Sequence, residues 1–430
     1  MKYTCLPLIC ILLLSVLNSQ AQTMDRVMEN LVQSGDYIEL NRRYATARER
    51  GIIYNTNLKR SIESILYASQ NKPKKATAKW KKVIEYNKNH WTTKEYGDAM
   101  DRLGVNLCSM GNYKEASDRM LAFLVQAADS KELKMGDRIR MEQTCNLGIF
   151  GNKFAPKISR PKRDCEVALL SKSGWPHLFI PVILNGKEYP FLFDSGCSAH
   201  STNFASEAFA REHNIRILGE IVTTYGVGGA EFKKLGVLDT LRIGDIIYRN
   251  VAFTIYSGPY LGVDAGLGMV FMKAMGEIQF FPQEQKIVFP AVESPLPATG
   301  SNMMLSSGGS PFVEAYSNNE RLIFLFDTGA SSFLSDTYYQ KHAADGIDAG
   351  IIKTTTTMTG FGGTKESGTF SLPTFPVKVG AANRNMTDLK VLTDRVANAS
   401  SKNDGILGAD YVRMFRKVTV NFNKMFLTVE

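Results

Sequence analysis

The chain has little histidine, little cysteine and no second long apolar run. Five histidines in 430 residues leave few ligands for a metal centre and few bases for a histidine-activated nucleophile. The six cysteines have neither metal-ligand spacing nor the density of a disulfide scaffold. No Gly-rich loop follows a strand and opens a helix, so a phosphate-binding motif is missing too. No metal and no cofactor are therefore expected. With 44% apolar and 22% charged residues the composition is that of a globular protein, which excludes a disordered, collagen-like or coiled-coil chain.

The one apolar run, Leu6 to Leu17, is 12 residues long, too short to span a bilayer. Lys2 is the only charge before Asp25, and Ser19-Gln20-Ala21 puts small residues at the cleavage-determining positions. Residues 1–21 thus read as a signal peptide, and the protein is expected to be periplasmic or extracellular. No later run approaches ~18 apolar residues, so no membrane contact is expected after signal removal. Cleavage leaves Cys108, Cys145, Cys165 and Cys197, and in an oxidising compartment Cys145 and Cys165 are candidates to pair across a linker.

The formal charge of +9 invites a nucleic-acid reading until it is divided by region. Residues 22–150 carry +6, residues 151–175 carry +4, and residues 176–430 carry −2. The six lysines between Lys72 and Lys82 fall on one predicted helix with only Trp80 among them, a solvated face rather than a base-stacking surface. No nucleic-acid partner is expected.

Residues 22–150 have helical spacing. Ala116, Met120, Phe123, Leu124 and Ala127 form one apolar stripe. Turn signals at Gly35-Asp36-Tyr37, Asn71-Lys72-Pro73 and Gly111-Asn112-Tyr113 recur 36 and 40 residues apart, a period that suggests stacked helical hairpins. The stretch from Leu103-Gly104 to Ala116 resembles a tetratricopeptide repeat. Such an array could bind a protein partner; the plainer reading is a spacer or pro-region packed on the rest. Residues 151–165, with Pro156, Pro161 and five basic residues before Asp164, read as a linker.

From residue 166 onward the pattern becomes short strands, and it repeats. Asn185-Gly186 turns one hairpin whose return strand ends in Phe193-Asp194-Ser195-Gly196-Cys197-Ser198. Asn318-Asn319 turns a second that ends in Phe326-Asp327-Thr328-Gly329-Ala330-Ser331. Each aspartate is followed by a glycine-rich segment, Gly226-Val227-Gly228 after the first and Gly360-Phe361-Gly362 after the second. Then come Asp264 to Gly268 and Asp404 to Gly408, and each copy closes with a hairpin, Ile278 to Phe289 and Val418 to Val429. The copies span 166–290 and 303–430, joined by residues 291–302.

These residues resemble a two-lobed aspartic peptidase of the pepsin and retropepsin kind, bacterial in type. The signature is an apolar strand entering Asp-(Ser/Thr)-Gly-x-(Ser/Thr), with an apolar-apolar-Gly segment later. The resemblance covers about 260 residues and implies an all-β acid-protease fold of two homologous lobes behind an all-α helical-hairpin, TPR-like domain. It also implies an aspartic endopeptidase acting on a peptide or protein, with Asp194 and Asp327 catalytic and the site complete in one chain. By the same resemblance Ser195 and Thr328 knit the two loops, Gly196 and Gly329 turn beneath the carboxylates, and Ser198 and Ser331 bond the carboxylates. Tyr225, Gly226 and Gly228 lie in one flap, and Gly360, Phe361 and Gly362 in its counterpart.

The chemistry fits those residue types. Two carboxylates that share a site cannot both ionise easily, so one can take a proton from water while the other polarises the carbonyl. The chain departs from the pepsin pattern at Cys197 and Ala330, where no hydroxyl sits beside the dyad. Fewer donors imply a less acidic pH optimum. Cys197 with His200 nearby does not make a cysteine peptidase, because no placed base accompanies it. The rival expectation is a catalytically inactive, peptide-binding module of the same fold.

Overall fold

A computed structural model describes residues 23–52, 56–172, 177–197, 203–258, 262–360, 363–395 and 403–430. The expected signal peptide, Ser198, His200, Phe361 and Gly362 lie outside the described residues.

Seven helices open the described chain: α1 (residues 23–34), α2 (Tyr37–Glu49), α3 (Thr56–Ser69), α4 (Pro73–Asn87), α5 (Thr93–Ser109), α6 (Tyr113–Gln126) and α7 (Met135–Lys153). The three turn signals separate them. Gly35, Asn71 and Gly111 take the positive φ that ends a helix. Asp36 then caps α2, its carboxylate accepting from Glu39 N at 3.0 Å, and Pro73 opens α4. Successive helices pack on one another, and small residues let α5, α6 and α7 close up. A Cβ on Gly104 would lie 2.6 Å from Thr144 Cγ2, and one on Gly148 would lie 2.8 Å from Ser117 N. The stripe read from the sequence is inward-facing: Ala116, Met120, Phe123 and Ala127 are buried and Leu124 half-buried. The lysines of α4 face outward, with Lys79 paired to Glu63 and Lys81 to Glu115.

Strands follow. In the first β-unit they are β1 (Lys157–Ser159), β2 (Cys165–Ala168), β3 (Phe179–Leu184), β4 (Lys187–Phe193), β5 (Asn203–Ser206), β6 (Arg216–Gly226), β7 (Gly229–Ile243), β8 (Ile246–Tyr256), β9 (Ala265–Leu267), β10 (Glu277–Phe281) and β11 (Lys286–Phe289). Helices α8 (Glu207–Glu212) and α9 (Met269–Met275) lie between them. The second β-unit has β12 (Met303–Leu305), β13 (Pro311–Ser317), β14 (Glu320–Asp327), β15 (Phe333–Leu334), β16 (Thr354–Gly360), β17 (Gly363–Val379), β18 (Ala382–Leu392), β19 (Gly405–Gly408), β20 (Val418–Asn421) and β21 (Phe426–Val429). Its helices are α10 (Asp336–His342) and α11 (Ala409–Arg413).

The duplication seen in the sequence is a duplication of topology. Pairing in the first unit closes a barrel-like ring, β3-β4-β9-β5-β8-β7 and back to β3. The second closes the same ring with β13-β14-β19-β15-β18-β17 and back to β13. Each ring contains two parallel pairs, one at its aspartate strand, β4 with β9 and β14 with β19, and one beside it, β5 with β8 and β15 with β18. The closing hairpins of both copies join in one five-stranded sheet, β2-β11-β10-β20-β21. A single apolar core runs through both units, from Cys165 to Val429. The hairpin turns carry positive φ at Asn185, Gly186, Asn318 and Asn319, as tight two-residue turns require.

Two expectations are corrected. Cys145 and Cys165 do not pair: the first thiol lies in the helical region against Ser117 O and the second against Ile243 O. The 151–165 segment is not a free linker either. Its first three residues finish α7, β1 pairs with β8, and the Arg160 guanidinium donates to the carbonyls of Met275, Phe289 and Pro290 at 2.8, 3.3 and 2.6 Å.

Candidate active site

Strands β4 and β14 end side by side, so Asp194 and Asp327 meet. Each strand is pulled into place by its parallel neighbour: Asp194 N donates to Leu267 O at 2.9 Å, and Asp327 pairs with Gly408. The loops after them are pinned alike, Met269 N on Cys197 O and Ala409 N on Ala330 O, both at 2.9 Å.

Between the loops, Ser195 and Thr328 interlock. Ser195 N donates to Thr328 Oγ1 and Thr328 N to Ser195 Oγ, both at 3.0 Å. The hydroxyls donate onward, Ser195 Oγ to Phe326 O at 2.8 Å and Thr328 Oγ1 to Phe193 O at 2.5 Å. Both residues are fully buried. Gly196 N and Cys197 N donate to Asp194 Oδ1 at 2.8 and 3.1 Å, and Gly329 N donates to Asp327 Oδ1 at 2.9 Å. The glycines are needed for closeness: a Cβ on Gly196 would lie 2.5 Å from Asp327 Cγ, and one on Gly329 would lie 2.5 Å from Asp194 Cγ.

The two carboxyl groups face one another, each lying against the glycine of the other's loop. Burial pushes both pKa values up, and for Asp194 the neighbouring charge of Asp327 pushes further. Backbone N–H donors pull the other way without winning. A shared proton is the low-energy state of such a pair, which titrates as a unit. The same burial, with both aspartates beside it, raises the Cys197 thiol well above its ordinary range. A thiol held protonated is no nucleophile.

The model of the aspartyl protease family matches residues 180–271, from β3 into α9, including Asp194 and β9. The chain carries an aspartic peptidase-like domain. No curated protein matches the chain. Among solved structures it is similar to Basic 7S globulin from soybean, at 9% identity over 62% of this chain and 96% of that one, with a TM-score of 0.40. It is likewise similar to edgp, at 9% identity over 63% and 95%, with a TM-score of 0.36. Likeness of that degree does not bear on what this chain does.

Other expected residues of the peptidase-like domain are placed as follows. Gly226 closes the β6–β7 hairpin against Gly229, Tyr225 pairs with Ala230, and Gly228 lies in the turn. Gly360 closes the β16–β17 hairpin against Gly363. The two tips touch, since a Cβ on Gly360 would lie 2.5 Å from Val227 Cγ2. Ser331 differs from expectation: it is exposed and bonds neither carboxylate. The backbone turns so that Ser332 points inward instead, its hydroxyl donating to Asp410 Oδ1 and accepting from Gly408 N, both at 2.8 Å. In the first unit Asn203 does the matching work, its Oδ1 accepting from Gly268 N at 3.1 Å. Neither Asn203 nor Ser332 was singled out from the sequence. The repeated Leu-Gly before α9 and α11 was the available signal, because that glycine's N–H needs a partner in both copies.

Proposed function

We propose that the chain is an aspartic endopeptidase of the two-lobed pepsin and retropepsin kind. The observation that carries the reading is the pair of carboxyl groups, one from each β-unit, that meet across the interlocked Ser195 and Thr328 loops, each where a Cβ on the other loop's glycine would lie. In the proposed reaction the ionised carboxylate takes a proton from water as the oxygen attacks the scissile carbonyl. The protonated member donates to the developing oxyanion. Collapse of the tetrahedral intermediate breaks the C–N bond as a dyad proton passes to the leaving nitrogen. Ser195, Thr328 and the loop glycines hold the carboxyls in register for both steps.

The β6–β7 and β16–β17 hairpins act as a pair of flaps over a peptide or protein substrate. One chain supplies both aspartates, so a monomer is catalytically complete. The apolar run at Leu6–Leu17 directs export to the periplasm or the exterior. The helical array is TPR-like, supported by its recurrent turns and by the close approach at Gly104.

The test is cleavage of a diverse peptide mixture by the purified chain from about pH 3 to pH 8, the range such dyads span. Pepstatin-sensitive hydrolysis that disappears in Asp194→Asn and Asp327→Asn is expected. Peptide binding without hydrolysis at any pH would replace the enzyme with a peptide-binding module.

A further inference from the structure

Beyond Lys234 the β6–β7 hairpin leaves its barrel. Residues 221–226 pair only with 229–234, and β8 begins its pairing at Lys234. A two-stranded ribbon of this kind has little stability of its own. It departs at an irregularity, because the register of β6 on β7 shifts between Ile217 and Ile221.

Helix α7 is packed against that bend. Asn146 Nδ2 donates to Ile221 O at 2.9 Å, beside the register shift. Phe150, with Leu147 and Phe154, covers Val222, Leu235 and Val237 and the half-buried Leu218 in an apolar cluster separate from the barrel core. Arg216, which opens β6, lays its guanidinium over the Phe154 ring at 5.2 Å. Strand β7 is therefore apolar on both faces. Leu235 and Val237 face α7, while Leu238 joins the core and Gly236 lies against Ile215 and Ile255.

The other end of the helical array is fixed to the second β-unit. The Arg321 guanidinium of β14 donates to both Asp36 oxygens at 2.8 and 3.0 Å, and Arg42 pairs with Glu314 of β13 at 2.9 Å. Met304 and Ile323 of that unit join the helical core. The helices thus run from the strand that ends in Asp327 to the hairpin of the opposite unit.

We propose that α7 is the abutment of this hairpin, and that Asn146 and Phe150 are positioning residues that set where its tip stands. Its effect on substrate rests on the peptidase reading; its effect on the hairpin does not. Hydrogen–deuterium exchange of the full chain tests both. Phe150→Ala is expected to speed exchange across residues 221–237 by about tenfold or more while β10 and β11 hold their protection. Asn146→Ala should move the same amides less. Should Phe150→Ala fail to fold, Phe150→Leu carries the test. With a cleavable peptide, both variants should raise KM more than they lower kcat. Unchanged exchange at 221–237, or a rise spread evenly over the chain, overturns the abutment. Faster local exchange in a chain that cleaves nothing leaves the abutment standing and removes the peptidase reading. Cleavage with unchanged exchange does the reverse.

Discussion

Ser195 and Thr328 hold each other across the two β-units, the backbone N–H of each donating to the other's hydroxyl at 3.0 Å. Each hydroxyl is at once acceptor and donor, so neither can be removed without stranding two backbone groups. Thr328→Val leaves Ser195 N and Phe193 O without this partner in a buried setting, at a cost of about 1–3 kcal/mol for each. Thr328→Ser keeps the oxygen and should recover most of that loss. Urea midpoints of the three proteins decide it. A Val variant as stable as the parent would mean that the interlock contributes nothing.

Gly196 and Gly329 make a different demand, because the opposite aspartate occupies the space a side chain would need. Gly329→Ala would put a methyl 2.5 Å from Asp194 Cγ, and Gly196→Ala one 2.5 Å from Asp327 Cγ. The carboxyls must separate, and misplacement of about 1 Å costs on the order of 10²-fold in rate. Both variants should lose at least that much kcat/KM. Gly258→Ala, whose methyl would meet nothing within 4 Å, serves as the control and should lose none. Equal activity in all three would remove the dyad from the mechanism.

Much of this site was legible because it is local and duplicated. The Asp194 and Asp327 frames, their Asn-led hairpin turns and the later Leu-Gly pairs all stand within short windows that occur twice. The turns at Gly35, Asn71 and Gly111 were legible for the same reason, since a positive φ or a first-turn proline marks a helix end wherever it occurs. What escaped depends on long-range packing. Leu235 and Val237 look like any strand residues until α7 is laid over them. Ser331 and Ser332 are adjacent, and only the direction of the backbone decides which faces inward. Arg160 reads as a solvated linker charge, yet three carbonyls of the first β-unit hold it.

The raised pKa values of the dyad fix a sign for stability against pH. Burial raises Asp194 and Asp327 above their unfolded values, so the folded state binds more protons there than the unfolded chain does. The stabilisation is fully present below the unfolded value, about pH 4. It is lost as pH rises through the folded values. Asp194→Asn removes that loss and lets the amide bond Asp327. The variant should melt above the parent at neutral pH, by ~2–4 °C for each kcal/mol recovered. The gap should narrow as pH falls toward 4, by roughly the span over which the carboxyls regain their protons. A gap that is constant with pH would mean the carboxyls are not strained by ionisation. The same burial places the activity optimum above the most acidic range, and a profile peaking below about pH 3 would contradict it.

Glu277 ties the two β-units within the five-stranded sheet they share. It is fully buried, and its carboxylate accepts four hydrogen bonds. Gln279 Nε2, Ser294 Oγ and Asn421 Nδ2 each donate at 2.7 Å, and Ser294 N donates at 2.8 Å. The donors come from β10, from the segment joining the units and from β20, so one side chain closes three pieces of chain. All four donors are neutral groups. Glu277→Leu would leave the half-buried Ser294 N–H without its acceptor and leave Asn421 Nδ2 only Glu293 Oε2 at 3.2 Å, and the cost should reach about 3 kcal/mol. Glu277→Gln keeps one acceptor oxygen but turns an amide N–H₂ toward two donors, so it should fall between parent and Leu variant. Because β10 and β20 pair directly, loosening this joint should also let the units shift against each other and slow any cleavage at the dyad. Denaturant midpoints in the order parent, Gln, Leu are the expected result; a Leu variant equal to the parent would show that strand pairing alone holds the joint.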